Sequence, residues 1–136
     1  SKLGVVLFQL PPFFKQDLPL LKDFLDSLPR GLRCAFEFRH SSWFDDAAFA
    51  ALKAHNSALC IAESEKLATP VVQTADYGYF RLRREDYASK DIVRWAERVA
   101  SQRTRLEDIF VYFKHEETGV GPKFAKQFLA EVNRIS

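Results

Sequence analysis

Apolar positions along this chain recur in two alternating rhythms. Short dense runs, Gly4–Leu10, 33–39, Ala58–Ala62, Tyr77–Leu82 and Asp108–Lys114, have the length and β-branched or aromatic content of strands. Between and after them lie stretches with the i, i+3, i+4 spacing of amphipathic helices. Leu18, Leu21, Phe24, Leu25 and Leu28 form the first stripe, and Ala48, Phe49 and Leu52 the second. Ile92, Val93, Trp95, Ala96 and Val99 form the third, and Phe124, Phe128, Leu129, Val132 and Ile135 the last. The punctuation agrees. Pro11-Pro12 closes the first run, since proline cannot continue a ladder. Asp17, Asp45 or Asp46, and Ser89 stand where helix N-caps are expected, and Pro122 falls in the first turn of the closing helix. Pro70-Val71-Val72 begins an irregular or short extended piece.

Strands that alternate with helices through short connections, and that are apolar throughout, predict an α/β fold with a parallel sheet covered by helices. No repeat, low-complexity tract or linker interrupts residues 1–136, which read as a single domain or part of one. The absence of Met and the abrupt entry into a buried-type strand give the expectation of a fragment of a longer protein.

The segment 33–43, Arg-Cys-Ala-Phe-Glu-Phe-Arg-His-Ser-Ser-Trp, carries the clearest sign of chemistry. Period-two alternation puts Cys34, Phe36 and Phe38 on one face and Ala35, Glu37 and Arg39 on the other. A strand apolar enough to be buried thus carries a carboxylate and a guanidinium near its C-terminal end. Buried charge is costly unless it is paired or used, and in α/β folds ligands bind at this edge of the sheet. The other runs also finish on polar groups: Gln9, Glu63, Arg81, and Lys114 with His115. Strand ends are also where solvent begins, which suffices to explain Glu63 and His115. Arg39 and Arg81 suit a carboxylate or phosphate because guanidinium offers a bidentate fork. Glu37 reads either as a general acid or base or as the partner that orients Arg39. Gly119-Val-Gly-Pro122 could present free N–H groups to an anion or simply enter a helix.

Composition narrows the classes. A formal charge of +2 gives no mandate for nucleic-acid or membrane binding, and no run reaches the roughly 20 residues of a membrane span. Thirteen Phe residues supply bulk for a sizeable core. Cys34 and Cys60 lie inside apolar runs and read as buried reduced thiols, which favours a cytoplasmic protein. His40, His55 and His115 are scattered, with no ligand spacing for a metal, although His40 beside Glu37 is conceivable for a divalent ion. There is no nucleophile elbow, and Ser41 and Ser42 read as caps. Trp43 could wall a pocket or belong to the core.

Four motifs, taken together, resemble the YecE-like family, domain-of-unknown-function family 72: Leu7-Phe-Gln-Leu-Pro-Pro12, Glu37-Phe-Arg-His-x-x-Trp43, Thr74-Ala-Asp76 leading to Tyr79-x-Arg-Leu82, and Val111-Tyr-Phe113. Their order and spacing match over essentially the whole chain. The resemblance implies a TIM-type (β/α) barrel, of which this chain would be roughly the C-terminal half; a full barrel needs about 200–250 residues. The family's Gly-Thr-Ser-Gly-Trp opening is absent. By position, Gln9, Glu37, Arg39, Trp43, Asp76 and Arg81 match the family's recurring polar and aromatic residues. Lys114-His115 stands where Asn-Asn or Asn-Asp is usual, Arg81-Leu-Arg-Arg84 where Arg-Leu-His-Gly is common, and Ala62-Glu-Ser64 in place of Ala-Asp-Ser. The mouth is correspondingly more basic. The family has no settled activity, so the resemblance supplies a fold and a site position but no reaction.

Two functions are expected from these residues. The first is a barrel-mouth site for a small anionic or polar molecule, with Glu37 and Arg39 as catalytic groups and Gln9, His40, Trp43, Asp76, Arg81 and Lys114 around the ligand. It would act as a hydrolase or isomerase. The second is nucleic-acid or nucleotide binding through Arg81, Arg83 and Arg84 interleaved with Tyr77, Tyr79 and Tyr87. Any cofactor is left open, no membrane partner is expected, and open sheet edges predict self-association of a fragment.

Overall fold

The computed structural model describes residues 4–64, 66–84, 86–102, 105–113 and 120–135, with side chains of 120–124 and 135 excepted. Five strands, β1 (Val6–Gln9), β2 (Cys34–Glu37), β3 (Ala58–Glu63), β4 (Tyr77–Leu82) and β5 (Asp108–Phe113), form a sheet in that order. Every neighbouring pair is parallel. Four α-helices alternate with them: α1 (Leu18–Ser27), α2 (Asp46–Ala54), α3 (Ser89–Gln102) and α4 (Val120–Ile135). The expected α/β alternation is therefore present. Among the described residues between β3 and β4 there is no helix; Val72 packs there against the core that a crossover helix would otherwise cover.

Helix starts follow from local hydrogen bonding. Asp17 caps α1, its carboxylate accepting from the Leu20 N–H, and Asp45 caps α2 by accepting from the Ala48 N–H at 2.9 Å. Ser89 is not a cap. It is the first residue of α3, and the Asp91 carboxylate reaches back to the Ala88 N–H at 3.0 Å. Ser42 is likewise not a cap. The His40 ring accepts from the Ser42 N–H and begins the short 3-10 turn Ser41–Trp43, while the Ser42 hydroxyl accepts from the Gln16 N–H.

The period-two register separates two faces. Cys34, Phe36, Phe38 and Leu59 join Leu21, Leu25, Trp43 and Leu52 under α1 and α2. Ile61, Phe80 and Leu82 join Ile92, Trp95, Val99 and Phe128 under α3 and α4. Leu129, expected inward with Phe128, is 60% exposed; Phe128 and Val132 hold the α4 contact instead. On the opposite face Ala35, Ala58, Cys60, Tyr77 and Tyr79 form a third buried cluster. Cys34 and Cys60 are free and fully buried. Among the described residues no helix is long and apolar enough to cross a membrane.

Candidate functional site

The β1–β2 ladder runs up to Gln9 opposite Glu37, and β3–β4 runs up to Glu63 opposite Leu82. Between them, β2 and β3 pair only at Ala35–Ala58 and Phe36–Leu59. Above Leu59 the two strands part. The freed edge of β3 is taken by the chain's own return: the Thr69 N–H donates to the Ala62 carbonyl, and the Ala62 N–H donates to the Thr69 hydroxyl oxygen at 3.2 Å. Backbone donors that lost a strand partner are thereby satisfied. The parting opens a cleft of about 300 Å³ at the C-terminal ends of β2 and β3, with Glu37 and Arg39 on one wall and Ala62, Lys66, Thr69 and Arg83 among the residues of the other.

Glu37 is the organising group. It is only 4% exposed, and its Oε1 accepts from the Gln9 amide at 3.1 Å and from the Arg81 guanidinium, with which it is paired. Oε2 faces the Arg39 Nε at 3.5 Å. Three strands thus meet on one carboxylate. Arg81 reaches it from β4 by crossing β3, and this is possible because its β3 register partner is Ala62. Cys60 lies two register pairs below, on the same face. Its thiol is pushed well above the ordinary range, first by burial and then by the Glu37 charge, so it remains protonated. Burial, followed by the neighbouring Tyr112, also raises the Tyr79 phenol. The arrangement offers a fixed carboxylate edged by two guanidinium groups, of which Arg39 is the more open at 35% side-chain exposure against 18% for Arg81.

Other expected site residues lie elsewhere. Asp76 precedes β4, at the opposite end of the sheet from Glu37 and Arg81. There its carboxylate accepts from Asn56 at 3.0 Å, and its carbonyl accepts from the Glu107 N–H. His40 is engaged with Ser42. Trp43 is 1% exposed, stacked on Phe38 at 4.4 Å between ring centroids, with its indole N–H on the Phe14 carbonyl. It is core on the helix side. Lys114, His115 and Gly119 lie outside the described residues. Glu63 points to the helix side, where the Trp95 indole donates to it at 3.1 Å. Tyr77, Tyr79 and Tyr87 are each 7% exposed or less, so the tyrosines interleaved with Arg81, Arg83 and Arg84 offer no open stacking surface. Arg84 is held by Asp86 and lies over the Tyr87 ring.

Sequence reasoning missed Lys66 and the cleft role of Thr69. Neither lies on a strand, and the fold-back that brings them to the sheet edge depends on the β2–β3 ladder ending early. Arg83 was visible as part of a basic cluster, and its period-two offset from Arg81 was the signal that both lean to the same side. Among the described residues no cluster of three His, Cys, Asp or Glu side chains could hold a metal ion.

The fold has solved relatives. A DUF72 family protein from Thermotoga maritima superimposes with a TM-score of 0.81 at 24% identity, over 96% of this chain and 58% of that one. A DUF72 family protein from Enterococcus faecalis gives 0.81 at 17% identity, over 98% of this chain and 60% of the other. The chain therefore spans about three-fifths of the length of these structures. At such identities the likeness concerns fold alone. A search of curated proteins returned no match. The family model described as protein of unknown function DUF72 matches residues 1–135, and the chain belongs to that family.

Proposed function

We propose that the C-terminal edge of this sheet forms part of a binding site for a small polar or anionic molecule, in an enzyme of the hydrolase or isomerase type. The observation that carries this reading is the convergence of Gln9, Arg39 and Arg81 on the nearly buried Glu37. A structural salt bridge needs one partner, whereas here two donors hold one carboxylate and a second guanidinium faces it beside an open cleft. Glu37 would serve as the acid–base group through Oε2, its less occupied oxygen, and Arg39 would orient a carboxylate or phosphate.

The same reading takes the sheet as an arc of a (β/α) barrel. Support comes from the uniformly parallel order and from curvature sharp enough for Tyr77 on β4 to hydrogen-bond the backbone of β2. Barrel sites draw on the C-terminal ends of several strands, and β1, β2 and β4 all contribute here.

A thermal-shift screen of the wild type beside Arg39→Ala, against carboxylates, phosphorylated metabolites and nucleotides, tests the proposal. A ligand that raises the melting temperature of the wild type alone supports it. Equal shifts in both proteins, or none in either, mean that the Glu37 cluster is structural.

A further inference from the structure

We propose that the cleft between β2 and β3 is a phosphate subsite in which Lys66, Arg83 and Thr69 bind the phosphoryl group of a small phosphomonoester. This inference rests on the polar-ligand reading of the Glu37 centre and names its substrate class. The argument begins with which charges in the cleft are already satisfied. Glu37 is held by Arg81 and Gln9, and Glu63 by the Trp95 indole. Among the described residues, both carboxylates that line the cleft are therefore already engaged. The cations are not. Neither Lys66 nor Arg83 has an ion-pair partner among the described residues, and Arg39 meets Glu37 only at 3.5 Å.

The hydroxyl adds a second, independent sign. Thr69 is 6% exposed and lines the cleft. Its oxygen is used as an acceptor by the Ala62 N–H, and its own hydrogen has no acceptor among the described residues. Thr74, the other buried threonine of the same connection, shows the contrast: it accepts from the Leu59 N–H and donates to the Ser57 carbonyl at 2.7 Å. Buried polar hydrogens are rarely left unpaired, so the Thr69 hydroxyl is poised for an acceptor that occupies the cleft.

Two cations from different segments and the Thr69 hydroxyl hydrogen, none of them with a partner among the described residues, together with the half-open Arg39 match a dianion with three terminal oxygens better than a carboxylate. One guanidinium alone satisfies a carboxylate's two oxygens. A cleft of about 300 Å³ lies at the lower end of ligand-site volumes, which favours a small phosphomonoester over a nucleotide. The phosphoryl group would sit on the β3–β4 side, with the rest of the molecule directed to Glu37.

The test is a phosphorus NMR titration of the whole chain with inorganic phosphate and phenyl phosphate. Acetate serves as the carboxylate probe, observed by proton NMR at the same ionic strength. Lys66→Gln and Arg83→Gln should each weaken phosphate binding about tenfold, and Lys66→Arg should restore it. Circular dichroism confirms that each variant is folded. Phosphate binding that persists in both Gln variants but disappears in Arg39→Ala overturns the subsite and leaves the Glu37 centre as the anion site. Acetate binding without phosphate binding, lost in Arg39→Ala, also overturns the subsite alone. If neither probe binds the wild type, both readings fall.

Discussion

The Tyr77 hydroxyl sits on the backbone of Cys34, two strands away. It accepts from the Cys34 N–H and donates to the Cys34 carbonyl, each at 2.8 Å. β2 and β3 begin to pair only at Ala35–Ala58, and at that lower end of the ladder a side chain from β4 bonds the β2 backbone. The ring passes over Ala58, and the Arg33 guanidinium lies above it at 5.0 Å. The tie closes the N-terminal end of the sheet, just as Arg81 on Glu37 bridges the same strands at the C-terminal end.

Tyr77→Phe removes one hydroxyl and leaves the buried Cys34 N–H without its acceptor. The expected loss is about 1–3 kcal/mol, read as a lower urea midpoint at unchanged slope. A midpoint equal to the wild type's would mean that β2 and β3 can zip further down and pair Cys34 themselves.

Arg81→Met leaves the Glu37 carboxylate buried with only Gln9 and the half-open Arg39. Breaking a buried pair by removing one partner costs about 3–5 kcal/mol. The double variant Glu37→Leu with Arg81→Met should recover most of that loss, since no buried charge remains. A double-mutant cycle by chemical denaturation checks this, and additive losses would show that the two groups are not coupled.

Burial pushes the thiols of both Cys34 and Cys60 above their ordinary value, with Glu37 adding to the effect at Cys60. Only the thiolate is nucleophilic. At pH 8 the native chain should therefore react with neither equivalent of an aromatic disulfide reagent, and the unfolded chain with both. Fast labelling of the native protein would contradict the packing of Cys34 under α1 and α2 or of Cys60 on the opposite face.

Asp45 is held below its ordinary carboxyl range, first by the Ala48 N–H and then by the Gln16 amide. A depressed folded-state value means that its contribution is fully present above the unfolded value near 3.8 and is lost as the pH falls below it. Asp45→Ala should cost about 1 kcal/mol at neutral pH. Asp45→Asn keeps a capping oxygen that does not titrate, so its stability should gain on the wild type's below about pH 4. Parallel acid curves for the two proteins would exclude the titration.

Elements governed by local rules were legible in the residues. β4 was read at its observed bounds, Tyr77–Leu82; Asp17 capped as expected; and the faces of 33–39 followed from Phe36 and Phe38. The same alternation turned Glu37 inward toward Arg81. Where a short-range pattern admitted more than one partner, it misled. Ser89 and Ser42 have capping chemistry but lost that role to Asp91 and His40, whose side chains reach the free N–H groups. Asp76 shares a motif with Arg81 yet lies at the other end of β4, because a strand separates along its length what the sequence writes side by side.

Alternation and spacing depend on a residue's immediate neighbours, so the sequence alone determined the α/β succession, the helix stripes and the placement of charge at strand ends. The point where β2 and β3 part depends on the whole sheet. Thr69 takes the β3 edge above, the Tyr77 hydroxyl supplies the β2 edge below, and small Ala62 lets Arg81 cross to Glu37. Each of these is a competition for a backbone or carboxylate partner far away in sequence, and tertiary packing alone decided it.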